Sequence, residues 1–379
     1  MPIYQERLAK VRAAMEEAGV GLLFLHPSPY LFYATGIRQD GYFGIVKVRG
    51  DWLNGVFIGL EGAPVFVAPS MVQHSPEILS AAEGVGAEVR ILAEGGDPQA
   101  LLRSVMAGFP LRGQRLAVAD RAWAALSEAL RAARPDAALT LASPFMDPLL
   151  AVKDGTAMEA MRRSAALADQ VYAAALPALR LGATARDLEI EVDHQFRLLG
   201  AEDNSFRTDV AFTRPGQPQP TPDWRLQPGD SVTFDFGGIY GGYASDFGRS
   251  AFAGEPTAEV RRAHETVLRA QAAAMAVLKP GEISGQQANA VARQVIEEAG
   301  WGPYFNHRLG HGIGITVHEP PFLSVGEHEP LQANMTFTVE PSIRIPGRFS
   351  NRVEDVVWVT EQGGVFLNAA SHDLVVVER

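Results

Sequence analysis

An internal repeat in the second half of the chain constrains the fold more than any other sequence feature. The segment Leu226–Asp235 (LQPGDSVTFD) is echoed 105 residues later by Leu331–Glu340 (LQANMTFTVE), and in this register a carboxylate aligns with a carboxylate. Each copy is followed by a second acid, Asp246 or Glu354. The pattern predicts a duplicated α+β unit with pseudo-two-fold symmetry, in which each copy supplies two acids from neighbouring strands.

Two helices are expected before each copy of the repeat. The residues that begin and end the second helix correspond between the two copies. In the first copy Thr184 and Asp187 have capping-box spacing, and the helix that they begin would end at Gly200. In the second copy the corresponding helix follows Ser284 and would end at Gly300. The longer helices that precede them are predicted near 157–179 and 257–278.

The first 145 residues alternate short apolar strands with helical stretches. Strands are expected at 20–25, 52–58, 64–68, 88–92 and 116–119, and helices at 75–82, 98–107 and 121–134. This alternation is typical of an α/β domain. The two prolines of Ser143–Pro148 indicate a linker, so we expect one domain at 1–145 and a second at 150–379.

Charge and composition exclude several classes of protein. Lys and Arg number 33 against 44 Asp and Glu, and the net charge of −11 argues against a nucleic-acid partner. The absence of cysteine excludes disulfides, thiolate metal sites and cysteine nucleophiles. The N-terminal pattern is amphipathic, unlike a signal peptide, and no run approaches about 18 apolar residues. We therefore expect a cytoplasmic protein without a membrane partner.

The repeated acids predict a metal site. Four carboxylates in one pocket would repel one another unless cations lie between them. Because cysteine is absent, such cations would be divalent metals held by oxygen and histidine ligands. His311 in LGHGIGI is the candidate nitrogen ligand, since its small neighbours allow close approach. His307 and His318 lie four residues before it and seven after it.

The ordered set of these residues resembles the pita-bread metallopeptidases, specifically the aminopeptidase P and prolidase (Xaa-Pro peptidase) branch. The motifs that carry the resemblance are Asp235 in FDFGG, Asp246 in YASDFGR, His311 in GHGIG, Glu340 in TVEPSI and Glu354 in NRVEDVV. The resemblance covers residues 150–379, and YLFYATG at 30–36 is similar to the N-terminal domain of that branch. It implies an α+β fold: a pita-bread domain with a curved antiparallel sheet, preceded by a creatinase-like α/β domain.

The resemblance also implies two divalent metal ions, with manganese favoured by the oxygen-rich ligands and cobalt or zinc as alternatives. Asp235 would chelate one metal, Asp246 and Glu354 would bridge the pair, and His311 and Glu340 would complete the second. A hydroxide between the two ions would attack the substrate. Glu340 would also act as the acid/base that moves the proton.

Four further residues are candidates for substrate contacts. His318 resembles the histidine that stabilises the tetrahedral intermediate, and His307 the histidine that lines the substrate pocket. Arg352 resembles the arginine that orients the bridging carboxylates. We also expect Arg344, or alternatively Arg348, to pair with a substrate carboxylate.

One departure from the family pattern concerns the loop before the first metal aspartate. Relatives have a histidine after a proline there, whereas this chain has Pro220-Thr221. The change affects substrate binding rather than the metals, and whether it alters proline specificity stays open.

The resemblance implies an enzyme that hydrolyses the Xaa-Pro bond of dipeptides or short peptides, and a homodimer. Two alternatives stay open. One is a non-peptidase hydrolase or lyase on the same fold; the other is a non-catalytic peptide-binding module, which typically loses ligands that this chain keeps.

Overall fold

The computed structural model of the chain describes residues 3–38, 49–111, 115–221 and 223–378. The chain divides into two units, Met1–Leu150 and Ala151–Arg379. Every helix in the described ranges is too short or too polar to traverse a lipid bilayer.

A mixed sheet, six-stranded over the described residues, forms the centre of the first unit. Its strands are β1 (Val20–Leu25), β2 (Gly55–Gly59), β3 (Val65–Pro69), β4 (Glu88–Leu92), β5 (Arg115–Val118) and β6 (Leu139–Leu141). The strand order is β4-β3-β2-β1-β5-β6, and β1 runs parallel to β5 and antiparallel to β2. The helices are α1 (Ile3–Glu17), α2 (Pro29–Thr35), α3 (Pro76–Val85), α4 (Pro98–Met106), α5 (Ala124–Ala133) and α6 (Ser143–Ala151). The alternation of strands and helices predicted for this region is confirmed.

The segment Ser143–Pro148, which its two prolines suggested to be a linker, is helical and begins α6. Pro144 lies in the first turn, where a helix needs no amide hydrogen from it. Phe145 and Met146 are buried, and their packing outweighs the hydrogen bond that Pro148 removes inside the helix. The two units divide after Leu150, and the expected domain bounds on either side of this segment stay a prediction.

The second unit contains two copies of one arrangement of helices and mostly antiparallel strands. Its helices are α7 (Gly155–Ala175), α8 (Ala185–Leu198), α9 (Ala258–Val277) and α10 (Gly285–Glu298). The strands of the first copy are β7 (Asp209–Thr213), β8 (Ser231–Phe236), β9 (Ile239–Tyr240), β10 (Tyr243–Ala244) and β11 (Phe247–Ala253). Those that follow are β12 (Gly310–Gly312), β13 (Glu319–Leu323), β14 (Thr336–Val339), β15 (Ser342–Ile345), β16 (Phe349–Arg352), β17 (Asp355–Thr360), β18 (Gly363–Phe366) and β19 (Val375–Val377).

The repeat is visible in the backbone contacts of both copies. Leu226 N donates to Ala183 O, and Leu331 N donates to Ile283 O, each over 2.8 Å. The capping box predicted for α8 is present, and α10 begins with the same motif. In both copies, therefore, the strand that bears the first acid is tied to the start of the second helix. The predicted duplicated α+β unit is confirmed.

A backbone bridge between Gly248 and Glu354 joins the sheets of the two copies. Their strand orders are β19-β11-β8-β7 and β13-β12-β14-β17-β18. Gly248 N donates to Glu354 O over 3.3 Å, and Glu354 N donates back to Gly248 O over 3.0 Å. This bridge brings the acids of the first copy next to those of the second.

Candidate metal centre

The five candidate ligand residues lie in or beside strands of both repeat copies. Asp235 lies in β8, Asp246 directly before β11, His311 in β12, Glu340 directly after β14 and Glu354 directly before β17. In the β8–β11 register Asp235 pairs with Gly248, which in turn bridges to Glu354. A Cβ on Gly248 would lie 2.8 Å from Glu354 Oε2, so glycine leaves the room that this carboxylate occupies.

His311 presents one ring nitrogen to the acids. Since a carbonyl oxygen only accepts, His311 Nδ1–H donates to Gly312 O over 3.1 Å, and this leaves the lone pair on Nε2. Nε2 lies 3.3 Å from Asp246 Oδ2 and 3.5 Å from Glu340 Oε1. Burial lowers the pKa of His311, so its ring is neutral at pH 7 and Nε2 is free to bind a cation.

Arg352 joins three of the acids into one cluster. Its Nη1 forms an ion pair with Asp235, and its Nη2 lies 2.9 Å from Glu340 Oε2 and 2.6 Å from Glu354 Oε2. Burial alone would lower the pKa of Arg352, but these carboxylates together raise it well above its ordinary value. This one guanidinium compensates one of the four negative charges.

The remaining negative charge is poorly compensated. Burial raises the pKa of Asp246 to about 8, and repulsion from Asp235 contributes to the rise. Burial likewise raises the pKa of Glu340 and, to a greater extent, that of Glu354. Buried carboxylates with raised pKa values need additional positive charge if they are to ionise together.

Unpartnered oxygens mark where that positive charge would lie. Among the described residues, Asp246 Oδ1 and Glu354 Oε1 are buried without a hydrogen-bond partner. One ligand atom each from Asp246, His311 and Glu354 lie within 4.8 Å of one another. Carboxylates with a neutral imidazole form a hard donor set of the kind that manganese, cobalt and zinc accept. These residues therefore fit a divalent metal site.

A cavity of about 720 Å³ adjoins the cluster and is large enough for a small peptide. Asp235, Asp246, His311, Glu340 and Arg352 all line it. The predicted substrate-contact residues His307, His318 and Arg344 line the same cavity. The structure thus brings these predicted site residues to one cavity, whereas Glu354 is fully buried and does not line it.

The two pocket histidines differ in how their ring nitrogens are engaged. His307 Nδ1–H donates to Arg308 O over 2.7 Å, and its Nε2 accepts from Ser342 Oγ over 2.5 Å. The His318 ring lies 4.0 Å from the His311 ring and has no hydrogen bond from the described residues. Burial lowers the pKa of both His307 and His318 to about 4, so both are neutral at pH 7. His318 is the one with a ring N–H left for a substrate.

Two arginines in the cavity wall form no ion pair with any of the residues that the structure describes. Among the described residues, neither Arg308 nor Arg344 has an ion-pair or side-chain hydrogen-bond partner. The guanidinium of Arg308 lies 5.0 Å from the centre of the Phe322 ring. Arg348, the alternative to Arg344, pairs with Glu259 instead. No sequence motif indicated Arg308, because its position in HRLGH does not reveal where its side chain lies.

The loop before Asp235 lacks the histidine of the family, and the two residues found at that place are exposed. Pro220 and Thr221 lie at the surface, and Pro222 is outside the described residues. Of the described residues in this loop, none lines the cavity.

A second charged cluster lies directly behind the ligand strands, and no sequence motif indicated it. Arg249 Nη2 lies 2.6 Å from Asp355 Oδ1, and Arg249 Nη1 donates to Glu354 O over 2.7 Å. Gln271 Nε2 donates to Asp355 Oδ2 over 2.8 Å and to Val339 O over 3.1 Å. The cluster therefore fixes the backbone at, or next to, two of the candidate ligands.

A buried ion pair holds the segment after His311. Lys153 Nζ lies 3.1 Å from Glu319 Oε2, with both side chains almost fully buried. The other oxygen, Glu319 Oε1, accepts from Thr316 N over 3.0 Å. Since His318 immediately precedes Glu319, this ion pair fixes the backbone that carries the pocket histidine.

The chain is similar to known proteins over nearly its full length. Residues 159–361 match the model of metallopeptidase family M24. Over 377 residues the chain is 34% identical to the probable dipeptidase PepE of Mycobacterium tuberculosis, covering 99% of this chain and 97% of that protein. It is 36% identical over 252 residues to the Xaa-Pro dipeptidase of Lactobacillus helveticus, covering 65% and 68% of the two chains.

A solved structure extends the likeness to the complete fold. The crystal structure of the prolidase from Thermococcus sibiricus matches with a TM-score of 0.88 at 28% identity, over 99% of both chains. The resemblance stated from the five ordered motifs is thus confirmed by sequence and by structure. The protein is a pita-bread peptidase and belongs to metallopeptidase family M24.

Proposed function

We propose that this protein is a dinuclear metal-dependent Xaa-Pro dipeptidase, which hydrolyses the bond between an N-terminal residue and proline in dipeptides or short peptides. The observation that carries the proposal is the buried cluster of Asp246, His311 and Glu354, whose carboxylates retain unpartnered oxygens beside a cavity. The names of the relatives, dipeptidase, Xaa-Pro dipeptidase and prolidase, support this substrate class. The family resemblance also supports a cytoplasmic homodimer.

The metal ligands in this proposal are five residues: Asp235, Asp246, His311, Glu340 and Glu354. Their oxygen-rich donor set favours manganese over cobalt or zinc. When bound, divalent cations polarise a carbonyl group and lower the pKa of water. Because the acids are buried and repel one another, metal binding also stabilises the folded protein.

The chain's own groups move the proton and stabilise the developing charge. Glu340 accepts the proton of the attacking water and passes it to the proline nitrogen as the bond breaks. Arg352 and the hydroxyl of Thr338, 3.3 Å from Glu340 Oε1, orient this carboxylate. The free ring N–H of His318 donates to the carbonyl oxygen as negative charge develops on it. His307, held by Ser342, forms a fixed wall of the pocket.

Arg344 supplies the cation for the free carboxylate of a dipeptide. It lines the cavity without an ion-pair partner among the described residues, and its side chain is accessible to solvent and therefore to a ligand. A carboxylate of the substrate would form a charge-assisted hydrogen bond with it. This contact favours dipeptides over longer peptides, whose carboxylate lies further away.

Replacing Arg344 by Met is expected to raise the KM for Ala-Pro about tenfold or more, with kcat changed less than about threefold. The loss is in KM because the carboxylate is bound equally in the ground and transition states. Arg348→Met is the matched control, since Arg348 pairs with Glu259. An unchanged KM for Ala-Pro, or an equal effect on Ala-Pro amide, would contradict the role of Arg344.

The proposed function as a whole is tested by stripping the metal and adding back manganese, cobalt or zinc. We expect manganese to restore cleavage of Ala-Pro most effectively, with slower cleavage of Ala-Pro-Ala and little of Ala-Ala. Failure of every metal to restore cleavage of any proline substrate would overturn the proposal. The alternatives of a non-peptidase hydrolase or lyase, or a non-catalytic binding module, would then apply.

A further inference from the structure

The cavity wall has more positive charge than a simple dipeptide can use. Four carboxylates balance the two divalent cations of the proposed function, on which this inference rests. With the hydroxide expected between the two ions, Arg352, Arg308 and Arg344 then leave two uncompensated positive charges around the cavity. A neutral Xaa-Pro dipeptide has one carboxylate and one ammonium group. If its carboxylate pairs with Arg344, Arg308 still lacks an anion.

Arg308 is held in place by the protein although it forms no ion pair with an acid in the described part of the chain. The Phe322 ring lies 5.0 Å from its guanidinium, and this contact fixes one face of the group. Its Nε is buried without a hydrogen-bond partner among the described residues. An exposed surface arginine would instead be neutralised by water and salt. A fixed, unpaired guanidinium in a cavity is suited to bind a carboxylate of the ligand.

The two unpaired arginines act on different parts of the site. The guanidinium of Arg308 lies over the ring of Phe322, and Phe322 pairs with His311 across β12 and β13. Arg344 lies in β15 two residues after Ser342, whose hydroxyl donates to His307. Arg308 therefore lies on the side of the cavity with His311, and Arg344 on the side with His307. A substrate with two separated carboxylates can reach both.

We propose that Arg308 is a specificity-determining residue that binds the acidic side chain of the N-terminal substrate residue, so that the enzyme prefers Glu-Pro and Asp-Pro. Arg344 holds the carboxylate of proline, and Arg308 holds the side-chain carboxylate at the other end of the dipeptide. A lysine or arginine side chain at the same position meets a like charge and is rejected.

The test compares Glu-Pro with Gln-Pro, which has nearly the same shape without the charge. In the manganese-loaded wild-type protein we expect kcat/KM for Glu-Pro to exceed that for Gln-Pro about tenfold, and Lys-Pro to be the poorest substrate. Arg308→Met should abolish the preference for Glu-Pro, while Arg308→Lys should retain part of it because the charge remains. Arg348→Met is again the control and should retain the full preference.

Binding provides a second readout that does not depend on turnover. Reduced-bond analogues of Glu-Pro and Gln-Pro, in which a methylene replaces the scissile carbonyl, cannot be hydrolysed, and calorimetry measures their dissociation constants directly. We expect the acidic analogue to bind about tenfold more tightly to the wild type and equally to Arg308→Met. Equal binding of the two analogues to the wild type would overturn the inference even if Ala-Pro is cleaved. A preference for the acidic analogue without cleavage of any proline dipeptide would support the anion site and reject the proposed function.

Discussion

Replacing Glu354 by Gln is expected to reduce cleavage of Ala-Pro by about a thousandfold or more and to lower the metal content of the purified protein. Glu354 is fully buried, and its Oε1 has no hydrogen-bond partner among the described residues. The amide keeps the shape of the side chain but removes the charge that a shared metal ligand needs. Two quantities are measured: the number of metal ions per chain, by emission spectrometry, and kcat/KM for Ala-Pro.

The matched control is Glu361→Gln, a change of the same kind at an exposed position. It should leave both metal content and activity within about twofold of the wild type, as surface substitutions usually do. Because its amide cannot be ionised, Glu354→Gln should also keep a high melting temperature in the absence of metal. A loss of activity in this variant would then not be caused by unfolding. Full activity with two metal ions per chain in Glu354→Gln would reject this residue as a ligand.

Replacing Asp355 by Ala is expected to destabilise the second unit by about 3–5 kcal/mol, the cost of leaving one member of a buried ion pair without its partner. Asp355 is fully buried, and its two carboxylate oxygens contact the side-chain nitrogens of Arg249, Gln271 and His372. The alanine leaves the guanidinium of Arg249 buried and unpaired. For a unit of this size the melting temperature should fall by roughly 10 °C.

A double variant distinguishes the cost of leaving one charge buried without a partner from the net contribution of the ion pair to stability. Arg249→Met with Asp355→Leu removes both charges and should lose less stability than Asp355→Ala alone, because no charge is left buried. The measurement is urea unfolding of the three proteins with metal present at a fixed concentration. Arg249→Met and Asp355→Leu are also measured singly. If the double variant lost as much stability relative to the wild type as these two single variants together, the pair would not be coupled.

The sequence was sufficient for the features that depend on local pattern. The capping box at Thr184 and the repeat from Leu226 and Leu331 follow from residue types at fixed spacings, and the structure contains both. The cluster of acids could be predicted because equivalent strand positions in a duplicated unit meet near its pseudo-two-fold axis. Register within a strand then decides which side chains share a face.

Features that depend on tertiary contacts could not be predicted in this way. The linker expected at Ser143–Pro148 is a helix because buried neighbours outweigh the local effect of proline. Arg249 and Asp355 are 106 residues apart and pair only after the two sheets join. Arg308 resembles any surface arginine in the sequence, and only the fold shows that it lines the cavity and forms no ion pair with the described residues.

The bridge between the two repeat copies has a consequence for the direction in which a substrate binds. The four acids are contributed equally by the two copies, so they alone would treat the two ends of a dipeptide alike. His311 has no counterpart: Gly312 pairs with Phe337 as Phe212 pairs with Val232, and the residue in the place of His311 is Ala211. The histidines and unpaired arginines of the cavity also come from the second copy alone. Both copies therefore supply the negative charge, and the second copy alone supplies the groups that distinguish the amino end of a substrate from its carboxyl end.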